Sequence, residues 1–199
     1  MSDNKVDLTP AAQRLADLVA RVSDDELSGP TPCPAYTLGD LIEHVGGLAL
    51  AFRAAAEKDI ASPYVNGTPS GDAARLQADW RERISADLAA LAEAWASPDA
   101  WAGMTRIAGQ DQPAEIVGVV VADELVVHGW DVARATGQPY TAEPELLDAA
   151  RTFLGFIASP DAPAGPEVPF GPTRPVADDS APLDQVLALA GRDPAWAAG

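Results

Sequence analysis

The chain contains two histidines, His44 and His128. His128 lies in ADELVVHGWDVARATG, four residues after Glu124. On a helix that spacing stacks the two side chains on one face. His44 lies in a second segment with helical apolar spacing, DLIEHVGGLALAF. Two neutral imidazoles and a carboxylate form a donor set for a divalent ion, zinc first, with nickel, iron or manganese as alternatives. Two ligands at i and i+4 fix two coordination directions. A third from an adjacent helix leaves positions open to water or substrate, as in catalytic sites. An E-x-x-x-H pair equally suits a core histidine hydrogen-bonded to its glutamate, so spacing alone leaves both readings standing.

Helices must bring these residues together. A first helix is predicted from Thr9 and Pro10, with an apolar stripe at Leu15, Leu18, Val19 and Val22. Gly29, Pro30, Pro32 and Pro34 then exclude regular helix. Thr37 and Asp40 approximate a capping box for a second helix, whose inward face is Leu41, His44, Val45, Leu48 and Phe52. Gly46 and Gly47 each cost roughly 1 kcal/mol inside a helix relative to Ala, which makes sense where a neighbouring element or ligand approaches closely. A third helix is expected over residues 70–97, with Leu76, Trp80, Ile84, Leu88, Leu91 and Trp95 as its buried stripe. The two tryptophans read as core. A short extended piece is expected around Met104 to Ile107.

The fourth helix runs from Gln112–Pro113 to Gly137 and carries Val117, Val121, Glu124, His128 and Asp131 on one broad face. A carboxylate buried there without a partner costs several kcal/mol, and a metal or a hydrogen-bond network would remove that cost. Imidazole ligands need partners on their other nitrogens. Asp131, one turn beyond His128, and Asp40, one turn before His44, are the candidates. Trp130 and Tyr36 are candidates for the pocket mouth. A fifth helix is expected over residues 143–158, a Pro-rich run wrapping the bundle and anchored by Phe170 after it, and a last short helix over residues 183–190. The expected division is a bundle at 1–158 and an extension at 159–199.

Thirteen basic against thirty acidic residues give a formal charge of -17. Such a surface repels phosphate backbones, which argues against nucleic acid as a partner. The single cysteine, Cys33, excludes an intrachain disulfide. Between two prolines it reads as a small side chain in a rigid turn rather than a nucleophile. The polar start MSDNKVDLTP does not resemble a signal peptide, and no run of about 20 apolar residues suggests a membrane span. A cytoplasmic protein is the expectation.

Three stretches carry a family resemblance: TPCPAYTLGDLIEHVGG, ADELVVHGWDVARATG and FGPTRPVADDSAPLDQVLALAGRDPAW. The sequence resembles the DinB-like superfamily, on the branch with the metal-binding domain of mycothiol-dependent maleylpyruvate isomerase. The third stretch is similar to an actinobacterial subgroup, mostly of unassigned activity. The resemblance implies an all-α, up-down-down-up four-helix bundle, here with an extra C-terminal helix and a Pro-rich wrap. It implies His44, Glu124 and His128 as metal ligands. It also implies a thiol cosubstrate such as mycothiol, used in transfer or isomerisation on a small electrophile. Family members often form homodimers. The isomerase has a further C-terminal domain that helps build its site; here the fifth helix, the Pro-rich run and GRDPAW stand in that place. Arg192 in GRDPAW could reach an anionic substrate or serve as a structural salt bridge. A non-catalytic bundle with a structural or vacant metal site is the competing reading. No catalytic residue is assigned by the sequence.

Overall fold

The computed structural model describes residues 5–158, 171–177 and 179–198. Within them the helices are α1 (Thr9–Ala20), α2 (Leu38–Ala56), α3 (Trp80–Ala96), α4 (Ala114–Ala135), α5 (Pro144–Ile157) and α6 (Pro182–Leu189). An antiparallel hairpin of β1 (Met104–Ile107) and β2 (Gln110–Pro113) joins α3 to α4. The expected helical bundle forms, and β1 is the extended piece expected near Met104. The segment around Phe170 lies outside the described residues, as does most of the expected wrap. Among the described residues, no helix is long and apolar enough to cross a membrane.

Helix α1 packs against α3 and α4, and α2 packs against the same two helices. The consecutive helices α1 and α2 therefore stand at opposite corners of a four-helix core. Helix α5 covers α4, and α6 packs on α5. Leu15, Val45, Phe52, Leu88, Leu91, Trp95, Val121 and Leu125 belong to the shared core. The Trp95 indole N–H donates to the Phe52 carbonyl at 3.0 Å, so this buried tryptophan has its polar tip satisfied. Trp80 and Trp95 are both core residues, as their spacing suggested.

The capping box of α2 is real. Thr37 N donates to Asp40 Oδ2 at 3.1 Å, and Asp40 N donates to Thr37 Oγ1 at 3.3 Å. Helix α3 starts at Trp80, about ten residues later than the expected range and four after the first residue of its apolar stripe. Ahead of it lies only a 3-10 turn at Ala73–Arg75. The backbone there is bonded to α2 instead. Ala73 N donates to Asp40 Oδ1 at 2.8 Å, Asp72 N donates to Glu43 Oε2 at 3.1 Å, and the Arg75 guanidinium also reaches Glu43. These tertiary bonds override the local helical preference.

Asp40 therefore serves both the helix cap and the incoming loop. Thr37→Ala should cost about 1 kcal/mol, the usual value of a lost cap. Asp40→Ala should cost more, roughly 2–3 kcal/mol, because it also leaves the Ala73 N–H without its acceptor. Urea unfolding of the two variants checks the difference.

Candidate metal centre

Helix α4 is buried nearly all round from Val121 to Ala133. A helix buried on every side belongs at the centre of its fold. It presents Glu124 and His128 toward α2, and α2 presents His44 back. One donor atom from each of the three lies within 4.8 Å of the other two. The two imidazole rings meet edge to face, with centroids 5.1 Å apart and planes at 87°. All three residues are buried, at 8%, 7% and 4% exposure for His44, Glu124 and His128.

The far nitrogens of both rings are engaged. His44 Nδ1 lies 2.8 Å from the carbonyl oxygen of Pro69. A carbonyl can only accept, so Nδ1 carries the hydrogen and Nε2 is the free donor of a neutral ring. His128 Nδ1 lies 3.1 Å from Asp131 Oδ2 and donates to it in the same way. Glu124 Oε2 approaches His128 Nε2 to 3.0 Å. That oxygen is buried, and no well-aligned hydrogen bond reaches it. Two imidazole nitrogens and a poorly satisfied carboxylate oxygen, converging in a dry interior, fit the chemistry of a divalent ion.

The model of the mycothiol maleylpyruvate isomerase N-terminal domain matches residues 8–133. The chain belongs to that family. An uncharacterized protein of Mycobacterium tuberculosis, found in strains CDC 1551 / Oshkosh and H37Rv, is 35% identical over 188 residues, spanning 92% of this chain and 93% of its own. The crystal structure of a mycothiol-dependent maleylpyruvate isomerase mutant is similar in fold, with a TM-score of 0.59 at 18% identity over 76% of this chain and 68% of that one. A second structure of that isomerase gives 0.56 at 19% identity, with the same coverage.

In this member of the isomerase N-terminal domain family, the charges at the site are strongly interdependent. Burial, reinforced by the neighbouring His128, pulls His44 down to about 4. Burial also works against a charge on His128, but the hydrogen bond to Asp131 and the negative charges of the adjacent Glu124 and Asp131 outweigh it and raise His128 to about 9. Burial likewise opposes the Asp131 carboxylate, yet His128 and Arg192 hold it below its ordinary range. Arg192 is 3% exposed. It donates from Nε to Asp131 Oδ1 at 3.0 Å and from Nη2 to Asp131 Oδ2 at 2.9 Å.

The remaining candidates divide. Tyr36 lies beside His44, with ring centroids 5.3 Å apart, and its hydroxyl accepts from Gly71 N at 3.2 Å. Asp131 reaches His128 as its spacing suggested. Asp40 does not serve His44: it is occupied with Thr37 and Ala73, and the Pro69 carbonyl takes the ring nitrogen instead. Trp130 does not line the donor cluster either. Two residues past His128 it faces away around the helix, buried under the Arg134 guanidinium at 5.8 Å. Cys33 is buried in its turn, where burial pushes the thiol above its ordinary range.

Asp123 was not singled out from the sequence. It is fully buried, neither oxygen has a hydrogen-bond partner, and burial pushes its carboxyl well above the usual range. A signal for it existed. Asp123, Val127 and Trp130 recur at i, i+4 and i+7, so an apolar surrounding was predictable for it.

Gly47 sets the distance between α2 and the Pro69 loop, since a Cβ there would lie 2.8 Å from Pro69 Cβ. Gly47→Ala should therefore displace the loop while gaining about 1 kcal/mol of helix propensity. The expected result is little net change in unfolding free energy, with faster amide hydrogen exchange at Gly71, Asp72 and Ala73. Unchanged exchange would show that the glycine is not what holds the loop in place.

Proposed function

We propose that the protein binds one divalent ion through His44, Glu124 and His128 and uses it with a low-molecular-weight thiol of the mycothiol type. The reaction is a transfer or isomerisation on a small electrophile. The observation that carries this reading is the convergence of three buried donors whose rings are both turned Nε2-inward. Family membership and the fold shared with a mycothiol-dependent maleylpyruvate isomerase support it. Zinc suits the donor set best, with nickel, iron or manganese as alternatives.

The ion's contribution there would be Lewis-acid chemistry, holding a thiol as thiolate at neutral pH. The chain supplies the rest. Pro69 and Asp131 hold the rings in orientation. An apolar floor of Leu48, Phe52, Leu88, Leu91 and Leu125 beneath Glu124 and His128 excludes bulk water and strengthens every charge interaction above it. Tyr36 stands beside His44, ring centroids 5.3 Å apart, as an aromatic contact for a bound small molecule.

The second reading, a structural ion in a non-catalytic bundle, is favoured by the low exposure of all three donors. One set of measurements separates the two. Metal-stripped protein should take up one equivalent of zinc. His44→Ala and His128→Ala should each weaken uptake beyond the ~10–100-fold expected for losing an outer partner. Zinc-loaded protein should then accelerate consumption of mycothiol by an electrophilic test substrate, and the histidine variants should not. Uptake without thiol chemistry would support the structural ion, and equal uptake by all variants would overturn the site.

A further inference from the structure

We infer that Arg192, from the segment after α6, is a positioning residue for the metal centre and acts on His128 through Asp131. This inference rests on the metal-binding reading above. It adds a residue outside the 8–133 span of the family match.

The segment is built to deliver this side chain. Helix α6 ends at Leu189, and the chain turns at Gly191 with φ +72°, a left-handed conformation that favours glycine. A Cβ at Gly191 would meet the carbonyl oxygens of Gly171 and Pro172 at 2.7 and 2.9 Å. Arg174 braces the turn, its backbone N–H donating to the Ala188 carbonyl and its Nε to the Gly191 carbonyl at 2.9 Å. Arg192 N donates to the Leu187 carbonyl at 2.8 Å, and Arg192 Nη1 to the Ala190 carbonyl at 3.2 Å. The guanidinium is thus held by its own segment while its Nε and Nη2 grip both oxygens of Asp131. A planar two-point grip fixes the plane of a carboxylate as well as its position. Asp131 Oδ2 is the oxygen that receives His128 Nδ1. The chain of contacts runs Arg192, Asp131, His128, and ends at the ring nitrogen facing Glu124.

Two effects of Arg192 on a cation have opposite signs. As a bare positive charge it repels a metal ion. As the holder of Asp131 it keeps His128 aimed, which favours binding. The sign of its removal therefore distinguishes them. Arg192→Met alone strands the buried Asp131 charge and risks misfolding, so two other variants carry the test. Arg192→Lys keeps the charge and loses the planar grip. Asp131→Asn/Arg192→Met removes the pair together and is compared with Asp131→Asn alone.

Zinc dissociation constants from chelator competition are the readout, with unfolding curves as the control for folding. Arg192→Lys is expected to weaken zinc binding about ten-fold, the scale of a lost outer partner. On the Asp131→Asn background, Arg192→Met is expected to leave affinity unchanged or slightly tighter. An Arg192→Lys protein that binds zinc like the parent chain overturns the inference, as does a further ten-fold loss from Arg192→Met on Asp131→Asn. Failure of the parent chain itself to bind zinc overturns the metal reading and this inference with it.

Discussion

A carboxylate buried in an apolar interior must meet positive charge, be well hydrogen-bonded or take up a proton. Helix α4 buries three, Asp123, Glu124 and Asp131, within nine residues. Much of the architecture around it answers that constraint. Asp131 is met by His128 and by the Arg192 fork. Glu124 is met by His128 and has an oxygen left without an aligned hydrogen bond. Asp123 has no hydrogen-bonding partner, and its raised pKa is the third solution. Replacing α4 with an all-apolar helix would be the cheaper way to build a bundle. Three carboxylates beside two imidazoles therefore cost this helix more than packing alone requires.

The donor cluster depends on orientation as much as on identity. Neither ring is aimed by a neighbour in its own turn alone. His44 is set by a loop carbonyl 25 residues downstream, and that loop is itself tied to α2 by Asp40 and Glu43 and to the turn before α2 by Tyr36. His128 is set by Asp131, which is gripped by a residue 61 positions later in the chain. The late start of α3 belongs to the same arrangement: residues that would extend the helix are used to fasten the loop beside His44.

The sequence made part of this legible. Helical periodicity placed α2 and α4 and turned His44, Glu124, His128 and Asp131 inward, because a side chain's face follows from 3.6 residues per turn. The Thr37–Asp40 cap was readable for the same local reason. The glycine at position 47 announced a close approach without naming what approaches. The partner of His44 was not readable, since a backbone carbonyl carries no side-chain signature and Pro69 is brought in by tertiary bonds. Asp40 looked like that partner only because one helical turn separates it from His44. Trp130 is a candidate for the mouth by its chemistry alone, and the angle that two residues make on a helix turns it away from His128. Asp123 has no partner at helical spacing that would mark it, whereas Glu124 beside it has His128 one turn on.

The charges of the centre bear on which ligand would complete it. His128, raised to about 9, carries a proton at neutral pH that a bound ion would have to displace; with both imidazoles then neutral, Glu124 and Asp131, each negative, and Arg192, positive, would leave one net negative charge among these three. A divalent ion would turn that into one net positive charge. In a site walled by Leu48, Phe52 and Leu125, an uncompensated charge is expensive. A singly charged anion balances the centre, and a thiolate is such an anion, whereas a neutral thiol or water is not. Without Arg192 the same ion would already be balanced by its two carboxylates, and the preference for an anionic ligand would disappear. On the metal-binding reading, Arg192 would thus bear on both halves of the problem: through Asp131 it would aim a ligand, and through its charge it would favour the deprotonated form of what binds next.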